Sequence, residues 1–319
     1  MIQNEYEVIT HNNSNFHIFL VNLLYRTPHI HKDYEISLVV DGTFTLINPD
    51  GETTLRAGDL FIMNPFFSHE LKAETPALIL SLQVSSAFFS SCYPQIKKII
   101  FDTATILSGQ NPVVCDTVSR LLCSLAYTYY DKEAYAPIKC AFIIHQLFFY
   151  LLSTQKHHTV LEKEKQAAII RGTRIWDILL YTEAHYTEKI LLSDIARREN
   201  LDLYYLSHFF KESVGISFQN YVTRLRCEKA RQLLLLTDYS LLDISIICGF
   251  SDPKYFNKGF QTQYGCTPKA YRKNFKNDKL EPQQKSMLTT QEFLSESASL
   301  VTLEKYIPKK NLVSKPFTF

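Results

Sequence analysis

The sequence predicts an α+β multidomain chain: an amino-terminal antiparallel β-barrel, a helical segment behind it, and a carboxy-terminal all-α domain made of repeated helix pairs. Three observations carry that expectation. Apolar and polar residues alternate in short runs over about residues 18–84, the spacing lengthens to three and four over about 95–153, and the last third repeats itself at an offset of 49 to 50 residues. At 319 residues and 46% apolar composition the chain can build two cores and is too apolar to be disordered throughout.

The strand runs are "YEISLVV", "TFTLIN", "TTLRAGDLFIMNP" and "ALILSLQV", separated by turn signals at Asp41-Gly42, Pro49-Asp50-Gly51 and Ala57-Gly58-Asp59. Residues 1–90 are therefore expected to form the barrel. His29, His31 and Glu35 share strand parity in "HIHKDYEISLVVDG", and "GDLFIMNPFFSH" ends in His69, so four polar side chains are expected to converge inside it. The two stretches resemble the paired motifs of the cupin family, where three histidines and one carboxylate suit iron, manganese or zinc. Two departures stand in the second motif: Pro65 comes one place late, and Phe67 replaces the glycine that lets the turn approach a metal. His29, His31, Glu35 and His69 are accordingly expected to bind a small polar ligand, a sugar for example, with no metal, no cofactor and no catalytic residue.

Two long apolar helices are expected in residues 91–153, over "VVCDTVSRLLCSLAYTYY" and "PIKCAFIIHQLFFYLLS", with Pro137 suited to a first helical turn. They read as a dimerisation and coupling segment that buries surface against a second copy. Residues 154–171 turn polar and charged and read as a linker, with His157 and His158 solvated. The longest apolar stretch, Ala141 to Leu152, is short and broken by His145 and Gln146, and no basic start leads into an apolar run. No membrane span or export signal is expected, and the protein is placed in the cytoplasm. Seven scattered cysteines, never in a C-x-x-C arrangement, read as reduced, packed thiols.

"LLSDIARRENLDLYYLSHFFKESVGISFQNYV" lines up with "LLDISIICGFSDPKYFNKGFQTQYGCTPKAYR". In each copy a short helix (Leu192 to Glu199, then Leu242 to Cys248) ends at a residue suited to left-handed backbone, Asn200 or Gly249. A second helix follows, capped by Asp202 in one copy and by Ser251 or Asp252 in the other. Each copy is a helix-turn-helix. Between them Ser217 caps a helix over Phe218 to Leu236, about 28 Å long, close to the ~34 Å between successive major-groove faces of DNA. The second helices keep polar faces, Tyr204, Ser207, His208 and Lys211 in one copy and Lys254, Asn257, Lys258 and Gln261 in the other, which suit base edges. Charge agrees: residues 1–170 hold 12 Lys/Arg against 16 Asp/Glu, residues 171–280 hold 17 against 12, so a polyanion partner belongs to the second half.

"DISIICGFSDPKYFNKGFQTQYGCTPKAYRK" resembles the signature of the AraC/XylS family of bacterial transcription regulators, and the resemblance runs from about Arg174 to Lys273. It implies an AraC-type DNA-binding domain over residues 172–276. By position, Tyr204, Ser207 and His208, with Lys254, Asn257 and Lys258, inherit contact with bases, Tyr205 and Gln261 are expected at the DNA with them, and Lys211 and Arg224 suit phosphates. His208 and Lys258 stand where many similar proteins carry arginine, so bidentate guanine readout does not transfer. Gly259, inside the second reading helix at a cost of about 1 kcal/mol relative to Ala, is expected to leave that helix loosely held. The resemblance implies a sequence-specific regulator, an activator ahead of a repressor, with double-stranded DNA, a small-molecule effector, a second copy and RNA polymerase as partners. The alternative is a metal-dependent cupin enzyme with an accessory DNA-binding domain. Residues 277–319 are expected to be a partly disordered tail without assigned role.

Overall fold

The computed structural model describes residues 15–48, 51–132, 134–275 and 291–309. The amino-terminal half is a nearly closed antiparallel barrel built from β1 (Phe16–His29), β2 (Tyr34–Asp41), β3 (Thr43–Asn48), β4 (Gly51–Arg56), β5 (Leu60–Met63) and β6 (His69–Val84). β6 is its organising strand and pairs with β1, β2 and β3. The expected turns at Asp41-Gly42 and Gly58 are present, both glycines at positive φ (85° and 90°). Pro49 and Asp50, read as part of a third turn, lie outside the described residues.

Strand alternation divides this half into two cores. Phe19, Val21, Leu23, Val39, Phe61 and Ile79 fill the barrel interior. Their neighbours Ile18, Leu20, Ile36, Leu38, Leu80 and Leu82 point the other way, against helices. After β7 (Ile99–Phe101) and β8 (Thr105–Ile106) come those helices, α1 (Pro112–Asp131) and α2 (Ala136–Thr154). α2 is long and apolar enough to cross a bilayer, but Ile144, Leu147 and Leu151 on one side of it are fully buried in the barrel-side core. All seven cysteines are free thiols.

The stretch expected as a linker is ordered secondary structure. β9 (His157–Thr159) pairs with β7, His158 faces Asp102 at 2.5 Å, and α3 already begins at Glu162 and runs to His185. Charged "EKEK" is as compatible with a helix as with a linker, because Glu and Lys are good helix formers.

The carboxy-terminal domain follows the repeat. α4 (Leu192–Arg198) and α5 (Leu203–Val214) form the first pair, α6 (Phe218–Leu236) the bridge, and α7 (Leu241–Ile247) and α8 (Pro253–Tyr264) the second pair, followed by α9 (Pro268–Phe275). The turns are as expected, with Asn200 at φ 52° and Gly249 at φ 80°. So are the caps: Asp202 accepts from Tyr205 N–H, Ser217 from Asn220 N–H and Asp252 from Lys254 N–H. Gly259 does not loosen α8. A Cβ there would lie 2.7 Å from Thr223 Cγ2, so the missing side chain lets α8 press against α6, with Phe256 and Phe260 buried beside it.

Part of the tail is folded. Residues 291–309 carry β10 (Gln291–Phe293), which pairs with β1, and α10 (Glu296–Tyr306), which packs on α1 through the fully buried Leu303. Residues 277–290 and 310–319, also read as tail, lie outside the described residues.

Candidate effector pocket and DNA-reading face

His29 ends β1, His31 sits in the turn that follows, Glu35 enters β2 and His69 opens β6. The barrel brings all four together: the His29 and His69 ring centroids are 4.1 Å apart, those of His31 and His69 5.2 Å. Each imidazole Nδ1 faces a backbone carbonyl two residues away, Thr27 for His29 (3.0 Å), Asp33 for His31 (2.7 Å) and Phe67 for His69 (3.3 Å). A carbonyl only accepts, so Nδ1 carries the proton and Nε2 is left as a lone pair. His31 Nε2 and His69 Nε2 are buried without a hydrogen-bond partner, and the ligand atoms of His31, Glu35 and His69 all lie within 4.8 Å of one another.

Glu35 is already held from below. Its Oε1 accepts from Ser37 Oγ at 2.9 Å and its Oε2 from Gln83 Nε2 at 2.9 Å, while Ser37 also meets Ser81 Oγ at 2.7 Å. Oε2 stands 3.1 Å from His31 Nε2, so an acceptor lone pair faces a carboxylate unless a proton or another cation lies between them. Burial opposes charging either group, yet the bond and charge between them prevail: the His31 imidazole is pushed up from its ordinary value and the Glu35 carboxyl held down to about 2. His69 is pulled down to about 4 by burial and then by His31, and His29 falls well below its ordinary value for the same first reason. The donor set, two orphaned imidazole nitrogens and one carboxylate braced by outer hydrogen bonds, fits a divalent metal ion as well as a proton.

His29, His31 and Glu35 open onto a cavity of about 790 Å³, lined also by Gln83 of β6 and by Trp176, Leu179 and Glu183 of α3, whereas His69 lines the neighbouring crevice toward α5. Lys32 Nζ lies 5.6 Å from the Trp176 ring centroid. Ile30, between the two histidines, lines the cavity as well and is buried among Ile175, Ile178 and Leu179 in the core of the DNA-binding half. The polar partners Ser37, Ser81 and Gln83 were not singled out from sequence. Their signal was there: single polar residues at alternate positions of otherwise apolar strands, in "EIS" and "SLQ".

On α5, Tyr204 (74% exposed), Tyr205, Ser207, His208 and Lys211 form an open face; on α8, Lys254, Asn257, Lys258 and Gln261 do the same. Arg224 does not share it. The guanidinium expected at phosphate instead pairs with Glu70 of the barrel, whose other oxygen accepts from the Tyr25 hydroxyl at 2.9 Å. The reason is proximity across the domain boundary: a crevice of about 530 Å³ between barrel and α5 brings His69, Glu70 and Glu52 together with His208, Lys211 and Arg224. A second contact keeps the halves together: Phe66, at φ 66°, lays its ring against Gly172 of α3.

Barrel pocket and paired reading helices define a DNA-binding transcription regulator with a ligand-binding domain. Comparison agrees: residues 195–274 match the family described as "Helix-turn-helix domain" and residues 24–83 the family described as "Cupin domain". The chain thus carries an AraC-type helix-turn-helix domain and a cupin domain. It is 26% identical over 258 residues to an uncharacterised HTH-type transcriptional regulator, YfiF, of Bacillus subtilis (strain 168), covering 79% of this chain and 80% of that one. Over 137 residues it is 32% identical to the regulatory protein PocR of Salmonella typhimurium, 43% of this chain and 45% of that one. Among solved structures, ToxT from Vibrio cholerae superposes with a TM-score of 0.43 at 12% identity, covering 81% of this chain and 98% of that one.

Proposed function

We propose that the barrel cavity binds a small polar effector and that its occupancy decides how the reading helices meet DNA. The observation that carries this is the shared wall: His29, His31 and Glu35, with His69 close behind His31 and Glu35, stand on the barrel side, Trp176, Leu179 and Glu183 on α3, so one occupant touches both halves. Imidazoles, a carboxylate and Gln83 suit hydroxyl groups, and the aromatic flank suits a sugar face. Coupling needs an effector that favours one arrangement of the halves over the other, and Ile30 offers the route, since a shift of the histidines moves it within the α3 core. In the arrangement seen, His208, Lys211 and Arg224 face Glu70 and Glu52 across the crevice, which supports a state in which the first reading helix is partly withheld.

Tyr204, Tyr205, Ser207 and His208, with Lys254, Asn257, Lys258 and Gln261, are then the base-facing residues, and Lys211 meets phosphate. The protein works as a regulator rather than a catalyst, in the cytoplasm, as a homodimer, and as an activator in contact with RNA polymerase. Dimerisation is supported by Ile138, Phe142 and Phe149, which line one face of α2 at 60–70% exposure. A panel of sugars and sugar acids, screened by the fluorescence of Trp176 and by melting temperature, tests the pocket. A hit lost on His31→Ala and accompanied by altered DNA retardation is expected; no response to any polar metabolite, with DNA binding intact, would overturn the reading.

A second reading is favoured by the orphaned nitrogens. His31, Glu35 and His69 would hold a divalent metal, which would supply a positive centre for an anionic or hydroxylated ligand. Metal analysis of purified protein decides it: stoichiometric iron, manganese or zinc lost on His31→Ala supports the ion, and metal-free protein that still binds DNA rejects it.

A further inference from the structure

Past the second helix pair the chain returns to the barrel. β10 pairs antiparallel with β1, Val21 opposite Phe293 and Leu23 opposite Gln291, and Leu294 N–H donates to Leu20 O at 2.9 Å. β1 is 14 residues long and would otherwise be an open edge there, a template for any extended chain. A three-residue strand holds poorly by itself. The anchor is α10: Leu303 and Ser299 are fully buried, the Tyr127 hydroxyl lies 2.9 Å from Glu304 Oε2, and Lys132–Glu296 and Lys309–Asp131 pairs hold its two ends.

Alternation then decides what the strand does. Gln291 and Phe293 turn inward and line the same cavity as His29, His31 and Glu35, with the Phe293 ring edge-on to Phe19 at 5.2 Å, whereas Glu292 between them is exposed. We propose that residues 291–309 are a strap: α10 fastens it to the sensor half, and β10 is the opening wall of the effector pocket, in which Gln291 and Phe293 help to select the occupant. The identity of the occupant rests on the pocket reading above; closure of the pocket by the strap does not, and can be tested without an effector.

The test uses the full chain and its only tryptophan, Trp176, which lines the cavity. Phe293→Asp should release β10 while α10 stays docked: hydrogen exchange across Val21–Leu23 should accelerate about tenfold or more, and acrylamide should quench Trp176 about twice as strongly. Val301→Asp, on the 74% exposed face of α10, should leave both unchanged and controls for the added charge. Gln291→Ala with Phe293→Ala serves if the aspartate variant fails to fold. Unchanged exchange and quenching in the folded β10 variants overturn the strap. Failure of the effector reading shows elsewhere, as absence of any polar ligand whose binding depends on His31.

Discussion

Gly172→Ala puts the docking of α3 on the barrel under strain at one point. A Cβ at this position would stand 2.4–2.6 Å from the Phe66 ring and Cβ, well inside contact distance. Phe66 has little room to retreat, because its own N–H donates to His31 O at 2.8 Å and its backbone is held at φ 66°. Overpacking of this kind costs about 1–3 kcal/mol, while alanine in a helix interior is better than glycine by about 1 kcal/mol. The two terms act on different equilibria. Helix propensity stabilises the DNA-binding half whether or not it is docked, whereas the clash exists only in the docked state. The variant should therefore keep or raise the melting temperature of the carboxy-terminal domain while shifting docking about 5- to 150-fold toward the open arrangement. Trp176, one turn along α3, reports the change through acrylamide quenching as it leaves Lys32. DNA retardation should tighten, because His208, Lys211 and Arg224 come away from Glu70 and Glu52. A folded variant with wild-type quenching and wild-type DNA affinity would refute the reasoning.

Three further outcomes are expected. Glu228→Gln leaves the Arg231 guanidinium, 1% exposed, without the carboxylate it meets at 2.9 Å and leaves one neutral oxygen where Arg231 and Tyr264 had two charged ones, so the second helix pair should lose about 3–5 kcal/mol in chemical denaturation; a loss below about 1 would show that Arg231 is held by other groups. The metal-free barrel should be most stable near pH 6.5. Below it, His69 at about 4 refuses a proton that the unfolded chain accepts, so stability falls as pH drops toward 4; above it, the contribution of His31, full below its ordinary value, is lost as pH rises through its raised one. Glu35 adds a further loss as pH falls from its ordinary range toward about 2. Denaturant midpoints at pH 4.5, 6.5 and 8.5 check this, and a midpoint rising steadily with pH would contradict it. Finally, Asn257→Ala should cost about 1–3 kcal/mol and relax preference at one base, whereas Lys211→Ala should weaken all sequences alike and lower the salt slope by about 1; titrations at several salt concentrations separate the two.

The parts legible in advance were those written in short-range pattern. Period-two alternation marked the barrel, and parity carried His29 and Glu35 inward with their partners. Asn200, Gly249, Asp202 and Ser217 set turns and caps within a few residues of themselves, so the helix pairs could be read directly. His31 reached the site by another route, through the turn after β1. Gly259 misled because propensity records the cost of a glycine in a helix and not the close approach of a neighbouring helix.

By itself, then, the sequence determined two cores, two helix pairs and four converging polar side chains, because each depends on spacing along one or two neighbouring elements. Only the tertiary structure decided that Arg224 meets Glu70, 154 residues away, that Ile30 reaches into the core of the other half, and that Gln291 and Phe293 come back to wall the pocket. Such contacts have no period and no local cap. They arise when two folded surfaces find complementary charge, or when an open strand edge takes up a segment from far along the chain, and neither event leaves a pattern in the residues that surround it.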